Sequence, residues 1–298
     1  MRLASYVKLV SREDKVSPEN RSRVAVLMPA YNAEQFINRA VQSLAQSTFA
    51  CDVFVVDDGS KTPVALVLGN NSGVHVLRLE KNCGIAHARN AGLKAILNRA
   101  YEFVACLDAD DICYPDRIAR QVDFLDRHPE VAAVGTWGRH FEENSGETIC
   151  VMRTPAEAAS AKRAMRTNMA VINTSAMIRT SALRAVGLYA ERYRAAEDYE
   201  LLRRISAKFA IANIPEVLVD ICISQDGISL KRRRRQLLER FKIQLKYLEP
   251  TQPGAWSGLA RTLLLLLVPA SLHAKIKSSS KGFYGVAALS ANGWAGRS

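Results

Sequence analysis

Three carboxylates follow one short apolar segment of the chain. Asp108, Asp110 and Asp111 come directly after the run Phe103-Val104-Ala105-Cys106-Leu107, which is typical of a buried strand. Like charges this close repel one another, so a cation is expected beside them. Carboxylate oxygens without His or thiolate partners favour a hard ion, Mg²⁺ or Mn²⁺, which keeps open positions for phosphate oxygens. The alternative is an ordinary acidic loop in solvent, and the position directly after an apolar strand favours the cation.

Three other polar segments also follow short apolar runs, which are rich in Val, Ile, Leu and Phe and are therefore strand-like. Each segment alone has a simpler interpretation as a turn or a helix start. Chance does not explain four such segments after four successive strands. Together they indicate one shared ligand site. The three segments are Pro29-Ala30-Tyr31-Asn32, Asp57-Asp58-Gly59-Ser60 and Glu80-Lys81-Asn82-Cys83-Gly84.

Helical patterns lie between these predicted strands. Asn32 is placed to cap a helix over residues 33–45, and a second stretch with helical apolar spacing covers residues 84–99. Alternating strands and helices predict an α/β fold with parallel strands and helices on both faces of the sheet. Ligands bind such sheets at the carboxyl ends of the strands, which is the edge where the polar segments fall.

The polar segments, taken together and in this order, resemble the inverting family 2 glycosyltransferases of bacterial surface-polysaccharide synthesis. The resemblance runs over residues 24–229 and implies the GT-A fold, with a mostly parallel central sheet flanked by helices. It implies transfer of a sugar from a nucleotide-diphosphate donor, with a UDP-sugar favoured, to an acceptor hydroxyl. Besides the segments already given, the motifs that carry it are Asn82-x-Gly84-x-x-x-Ala88-Arg89-Asn90 and Glu197-Asp198-Tyr199-Glu200-Leu201.

The resemblance also implies which residues bind the nucleoside of the donor. The Asp57 carboxylate is expected to accept a hydrogen bond from the base N–H, and Asp58 to shape the same pocket. The other residues assigned by resemblance to donor binding are Pro29, Tyr31, Asn32, Gly59, Asn82 and Gly84.

By the same resemblance, Arg89 would face the diphosphate and Asp108 would lie near the ribose. Asp110 would bind a divalent metal, Mn²⁺ or Mg²⁺, that bridges the two phosphates, and Asp108 is a second candidate ligand. Such a metal offsets the charge that builds on the departing nucleoside diphosphate.

Inversion by a single displacement needs a base that takes the proton of the acceptor hydroxyl. The resemblance assigns this role to Asp198, at the point where a loop becomes a helix. The alternative is an acid that merely stabilises the start of that helix. A catalytic base must come within hydrogen-bond reach of the acceptor, which sequence alone does not show.

The net charge of +12 on 298 residues is concentrated near the end of the chain. Residues 223–298 hold 13 Lys and Arg against 3 Asp and Glu, which leaves only +2 on the rest. We therefore predict an N-terminal extension over residues 1–22, a catalytic domain over 23–228 and a basic helical extension over 229–298.

Two interpretations of the basic extension stay open. Apolar stretches flanked by Lys and Arg are typical of peripheral contact with an anionic membrane surface, and an ordinary helix packed on the catalytic domain is the alternative. The run Lys231-Arg232-Arg233-Arg234-Arg235 lacks interleaved aromatic residues, so no nucleic-acid partner is expected. No apolar run approaches the roughly 20 residues of a membrane span, and the start of the chain is too charged for a secretory signal. A cytoplasmic location, with peripheral contact at the inner face of the membrane, is expected.

The most specific functional hypothesis is a metal-dependent glycosyltransferase that adds one sugar per binding event to a lipid-linked glycan. Processive relatives carry a Gln-x-x-Arg-Trp motif, which Gln236-Leu237-Leu238-Glu239-Arg240-Phe241 does not match. A nucleotidyltransferase and a catalytically idle binding module are the alternatives. The first usually needs a glycine-rich triphosphate loop with a basic residue, and the sequence lacks one.

Overall fold

Four parallel strands form the first half of the central sheet, in the spatial order β3-β2-β1-β4. The computed structural model describes residues 22–69, 73–223, 233–251 and 255–267. Strand β1 is buried along its whole length, as continuous apolar runs in parallel sheets require. The four predicted strands are therefore confirmed. Their bounds are β1 (Val24–Ala30), β2 (Cys51–Asp57), β3 (Val74–Arg78) and β4 (Phe103–Cys106).

The second half of the sheet is mixed in direction. Strand order continues from β4 through β8, β6 and β9 to β5, and β7 pairs with β6. The predicted mostly parallel arrangement is therefore found in the first half of the sheet. In the second half, β8 runs antiparallel to both of its neighbours. Strands β6 and β7 are antiparallel because only a short turn joins them. The bounds are β5 (Ile112–Cys113), β6 (Val131–Glu142), β7 (Thr148–Met152), β8 (Met177–Arg179) and β9 (Ala210–Ile223).

Helices cover both faces of the sheet, as predicted. One apolar core forms beneath α1, α2 and α4, and the other beneath α3, α5, α6 and α7. A 3₁₀ turn, Asn173–Ser175, lies directly before β8. The helices are α1 (Ile37–Ala45), α2 (Val64–Leu68), α3 (Ile85–Leu97), α4 (Arg117–Arg127), α5 (Ala158–Ala164), α6 (Thr180–Val186) and α7 (Glu197–Lys208).

The predicted cap of the first helix is wrong. Helix α1 begins at Ile37, with Phe36 at the cap position, and Asn32 lies four residues earlier. Asn32 has a φ of 49°, a conformation that Asn tolerates better than most residues. Its backbone N–H donates to Ser60 Oγ and its side-chain oxygen accepts from the Lys61 N–H, both at 3.0 Å. Asn32 therefore joins the loops after β1 and β2.

Two helices of the basic extension pack on the catalytic body. They are α8 (Arg233–Lys246) and α9 (Ala255–Leu267). Ile243 of α8 is fully buried, and Gln244 donates to the Thr167 carbonyl at 3.1 Å. A Cβ at Gly258 of α9 would lie 2.8 Å from the Arg166 carbonyl oxygen, so this glycine allows close approach. Helix α8 is therefore packed on the body, as the second interpretation of the basic extension expected. The predicted start of that extension, residue 229, lies outside the described residues.

None of the helices in the four described ranges is long and apolar enough to cross a bilayer.

Candidate active site

The Asp57 carboxylate holds the loop that follows β2. Its two oxygens accept from the backbone N–H groups of Ser60 at 2.8 Å and Val64 at 3.1 Å, and it forms an ion pair with Arg78. The parallel register places Asp57 beside Arg78 on the neighbouring strand. The Asp57 side chain is 0% exposed, so the structure gives it a part in shaping this loop. The predicted contact with a base N–H stays a prediction.

Asp58 connects the same loop to the start of α3. Its carboxylate accepts from the backbone N–H groups of Cys83 and Gly84, at 2.8 and 2.9 Å. Burial raises the pKa of Asp58, and these two donors act against that rise. The structure therefore brings two predicted donor-binding segments together, the loop after β2 and the loop after β3. Asn82 is exposed in the second of these loops, and Tyr31 is 47% exposed in the loop after β1.

Gly59 lies where the two loops touch. A Cβ there would be only 2.5 Å from the Lys81 carbonyl carbon, and the φ of Gly59 is +70°. Gly146 has nearly the same φ, +69°, yet a Cβ added to it would have no atom of the described residues within 4 Å. Substitution of Gly146 would therefore cause backbone strain alone, whereas substitution of Gly59 would cause the same strain and also disturb the contact between the loops.

We expect Gly59→Ala to lower the free energy of unfolding by more than about 2 kcal/mol, because strain and overpacking add. Gly146→Ala should cost about 1 kcal/mol, from strain alone. Urea denaturation measures both changes, and calorimetric titration with UDP should show weaker binding only for Gly59→Ala. Equal stability losses in the two variants would contradict a close contact between the loops.

The loop after β4 carries the three carboxylates. Asp108 and Asp110 are half-buried, whereas Asp111 is 3% exposed and accepts the Cys222 N–H at 2.9 Å. The Asp108 N–H donates to Thr174 Oγ1 at 2.9 Å, so the 3₁₀ turn supports this loop. Burial, followed by the charge of Asp108, raises the pKa of Asp110 to about 6. A carboxyl group with this perturbation is better stabilised as an anion when a cation is bound beside it.

The donor set at this loop fits a hard divalent ion that also binds phosphate. Within the described residues, no group of three or more His, Cys, Asp or Glu side chains is arranged to hold a metal alone. Mg²⁺ and similar ions commonly take one or two protein carboxylates and complete their coordination with waters and substrate phosphates. Asp110 and Asp108 are suited to be the one or two protein carboxylates of such a site.

Arg89 joins the loop after β4 to the start of α7. Its guanidinium donates to Asp108 Oδ1 at 2.9 Å and to Glu197 Oε1 at 2.7 Å, and lies over the Tyr189 ring. The Arg89 side chain is only 4% exposed. The predicted contact of Arg89 with a diphosphate stays a prediction. A buried guanidinium must be paired with acids, and two carboxylates already pair with it here.

Asp198 lies in the first turn of α7, beside Glu197. It is half-buried, and its Oδ1 accepts the Tyr199 N–H at 2.7 Å. Burial raises the pKa of Asp198, and the positive charges of Arg89 and Arg240 act against that rise. A carboxylate with a raised pKa accepts a proton more readily, which suits a general base. The hydrogen bond to Tyr199 also fits a helix-stabilising acid, so the catalytic role stays a prediction.

Glu197, Arg78 and Thr174 were missed by sequence reasoning. Glu197 stood in the motif next to Asp198, and two adjacent acids at a buried helix start were a signal that one must be paired. Arg78 ends an apolar run beside the Asp57 strand, which was a weaker signal. Nothing in the sequence indicated that Thr174 would accept the Asp108 N–H.

Fold and site together define a class of protein. The parallel half of the sheet presents acidic and glycine-containing loops at one edge. Helix α7 adds two acids, and Arg89 links one of them, Glu197, to Asp108 at that edge. This arrangement is that of a GT-A glycosyltransferase.

Residues 25–187 match glycosyl transferase family 2, and the chain belongs to this family. The amylovoran biosynthesis glycosyltransferase AmsE of Erwinia amylovora is 30% identical over 235 residues, 74% of this chain and 86% of the relative. A UDP-Gal:alpha-D-GlcNAc-diphosphoundecaprenol beta-1,3-galactosyltransferase of Escherichia coli is 28% identical over 238 residues, 77% of this chain and 84% of the relative. The predicted resemblance to surface-polysaccharide enzymes is confirmed, and the chain is a glycosyltransferase.

Solved structures confirm the fold. The mannosyltransferase PcManGT of Pyrobaculum calidifontis, in complex with GDP-Man and Mn²⁺, superposes with a TM-score of 0.59 at 18% identity, covering 88% of this chain and 77% of that one. The likeness supports the predicted GT-A fold.

Proposed function

We propose that the protein is an inverting, metal-dependent glycosyltransferase that moves one sugar per binding event from a UDP-sugar to a lipid-linked glycan acceptor. The observation that carries the proposal is the Arg89 bridge, since it holds a donor-side acid, Asp108, and the Asp198 turn in one site. The galactosyltransferase relative uses UDP-Gal and a diphosphoundecaprenol-linked sugar, which supports this donor and acceptor class.

The donor side is formed by the loops that Asp57, Asp58 and Gly59 shape. Asp110, with Asp108, would hold Mn²⁺ or Mg²⁺ against the two phosphates, and PcManGT with Mn²⁺ supports this choice. The bound ion would supply Lewis-acid stabilisation of the leaving group. The half-buried carboxylates of Asp110 and Asp108 would supply the protein oxygens for such an ion.

The acceptor side is assigned to Asp198. The acceptor oxygen attacks the anomeric carbon as its proton passes to the Asp198 carboxylate. The new glycosidic C–O bond forms while the bond from the anomeric carbon to the diphosphate oxygen breaks, and UDP leaves with that electron pair. One displacement inverts the configuration at the anomeric carbon.

The direct test is to incubate the protein with UDP-Gal, UDP-Glc or UDP-GlcNAc, Mn²⁺, and a synthetic GlcNAc-diphosphate lipid, and to follow UDP release and product mass. Acceptor-dependent UDP release with one added sugar is the expected result, and EDTA should abolish it. Inorganic pyrophosphate release from UTP and a sugar phosphate would instead indicate a nucleotidyltransferase. Binding of UDP-sugars without any transfer would indicate an idle binding module.

A lipid-linked acceptor places the reaction at the inner face of the membrane, and α9 presents a surface suited to it. Four large apolar side chains of α9 are exposed, and Arg234 and Lys242 of α8 are exposed as well. Apolar area combined with positive charge is what an anionic lipid surface binds. The four side chains are Trp256 at 60%, Leu263 at 49%, Leu264 at 62% and Leu267 at 74% exposure.

We expect the double variant Leu264→Glu, Leu267→Glu to reduce binding to phosphatidylglycerol-containing vesicles at least about ten-fold, because two buried Leu contacts are lost. Vesicle co-sedimentation measures this. Leu66→Glu is the matched control, since Leu66 is 75% exposed on α2 of the catalytic body. Equal binding of the double variant and the wild type, or no vesicle binding at all, would contradict a membrane contact through α9.

A further inference from the structure

Helix α8 contacts the loop that leads into the proposed catalytic base. The Glu239 carboxylate, only 10% exposed, accepts the backbone N–H of Ala195 at 2.8 Å. Ala195 stands three residues before Asp198 in the chain. The other carboxylate oxygen of Glu239 accepts from Arg235 at 2.9 Å, one turn earlier on α8. A side chain from the basic extension is thus bonded to the backbone of the catalytic segment.

The residue at the cap position of α7 is Ala196, whose methyl side chain cannot form a capping hydrogen bond. Its φ is −150° and its ψ is 29°. The chain before a helix usually gains its definition from such a cap. Here the bond from Ala195 to Glu239 fixes the approach to the helix instead.

A second contact of α8 reaches the residue after Asp198. The guanidinium of Arg240 lies 5.4 Å from the centre of the Tyr199 ring and donates to Asn168 Oδ1 at 2.8 Å. Tyr199 itself donates to the Met165 carbonyl at 2.8 Å. Neighbouring residues of α8 therefore contact the chain on both sides of Asp198.

Helix α8 is held against the body by buried apolar side chains. Leu237 is 7% exposed and Ile243 is 0% exposed, so the apolar face of α8 is buried in the body. Thr262 of α9 donates to Gln244 Oε1 at 2.8 Å, which ties α9 to α8. The helix with the exposed apolar surface is in this way joined, through α8, to the Asp198 loop.

We propose that Glu239 and Arg240 are positioning residues for the transfer reaction, and that the basic extension completes the active site as well as presenting the apolar surface. Glu239 fixes the backbone before Asp198, and Arg240 packs on the ring after it. The inference rests on the proposed role of Asp198 as the base. The catalytic unit then extends beyond the predicted boundary at residue 228, to include α8.

The test compares Glu239→Ala with Glu239→Gln in the full chain, using UDP-Gal, Mn²⁺ and the GlcNAc-diphosphate lipid. Glu239→Ala should lower kcat about ten-fold or more, because a backbone donor beside the base loses its partner, while the KM for UDP-Gal stays at the wild-type value. Glu239→Gln keeps an oxygen for the Ala195 N–H and should retain most of the rate. Glu216→Ala is the matched control, because Glu216 also pairs with an arginine, Arg120 at 3.0 Å, but on an exposed surface.

Wild-type kcat in Glu239→Ala, or failure of Glu239→Gln to restore the rate, would overturn the inference. A parallel loss of UDP binding and melting temperature in Glu239→Ala would also overturn it, since the role would then be purely structural. The Asp198→Asn variant separates this inference from the function on which it rests. If Asp198→Asn keeps its rate, the proposed function fails; if it loses the rate while Glu239→Ala keeps it, only the positioning role fails.

Discussion

Replacing Asp198 by Asn is expected to lower kcat for sugar transfer by about 10³-fold, within the range that general-base catalysis contributes. An amide has nearly the shape of the carboxylate but does not take up the proton of the acceptor hydroxyl. Burial raises the pKa of Asp198, which makes the carboxylate a better proton acceptor than an exposed one. Binding of UDP should remain at the wild-type Kd, because the loops proposed to bind the nucleotide lie at the ends of β1 and β2 and not on α7.

Three measurements together decide the role of Asp198. Steady-state UDP release gives kcat, calorimetric titration gives the Kd for UDP, and thermal unfolding gives Tm. The amide oxygen of Asn still accepts the Tyr199 N–H, which Asp198 accepts at 2.7 Å, so Tm should change little. Loss of UDP binding and a fall in Tm along with kcat would instead mean that Asp198 only stabilises the start of α7.

The location of the site was predictable because it depends on patterns that are local in the sequence. Strands buried on both faces must be continuously apolar, as β1 is, so their ends were visible as the points where polar residues begin. The carboxyl ends of parallel strands lie at the same edge of a sheet, so the acidic segments that follow these strands are predicted to be neighbours. Asp58 and the start of α3 do meet at this edge, through the N–H groups of Cys83 and Gly84.

The partners of individual side chains were not predictable, because they come from distant parts of the chain. Arg89 and Glu197 are 108 positions apart, and only the tertiary fold brings them together as an ion pair. The Asp57 carboxylate accepts the Ser60 and Val64 N–H groups of the loop that follows β2, and these partners were not visible in the sequence. The type and position of these residues were informative, while their hydrogen-bond partners required the tertiary structure.

The basic extension shows the same limit for a surface feature. Its charge indicated a separate unit, since a composition shift usually marks a boundary, and left open whether that unit contacts a membrane or packs on the body. The structure buries Leu237 and Ile243 against the body and leaves the apolar side chains of α9 exposed. The face that packs inward depends on a few apolar positions, which a count of charges does not register.

Replacing Arg89 by Met is expected to lower the free energy of unfolding by about 3–5 kcal/mol and to abolish transfer, because a buried charge pair loses one partner. Methionine fills much of the same space but leaves the carboxylates of Asp108 and Glu197 without their shared cation. The Glu197 side chain is only 6% exposed, so water does not replace that cation. Arg89→Lys keeps the charge but offers one ammonium group in place of a planar fork, and an intermediate loss is expected.

Arg23 provides a matched control for this prediction, because it also bridges two carboxylates. It donates to Glu102 at 2.8 Å and Asp126 at 2.7 Å, but its side chain is 36% exposed. Arg23→Met should therefore cost no more than about 1 kcal/mol, since exposed ion pairs contribute little. Urea denaturation of both variants compares the stability lost when a buried and an exposed arginine, each bridging two carboxylates, are removed. If Arg89→Met is as stable as Arg23→Met, then Arg89 does not hold the donor-side acid and the Asp198 turn together, and another contact must bring these two parts of the site into register.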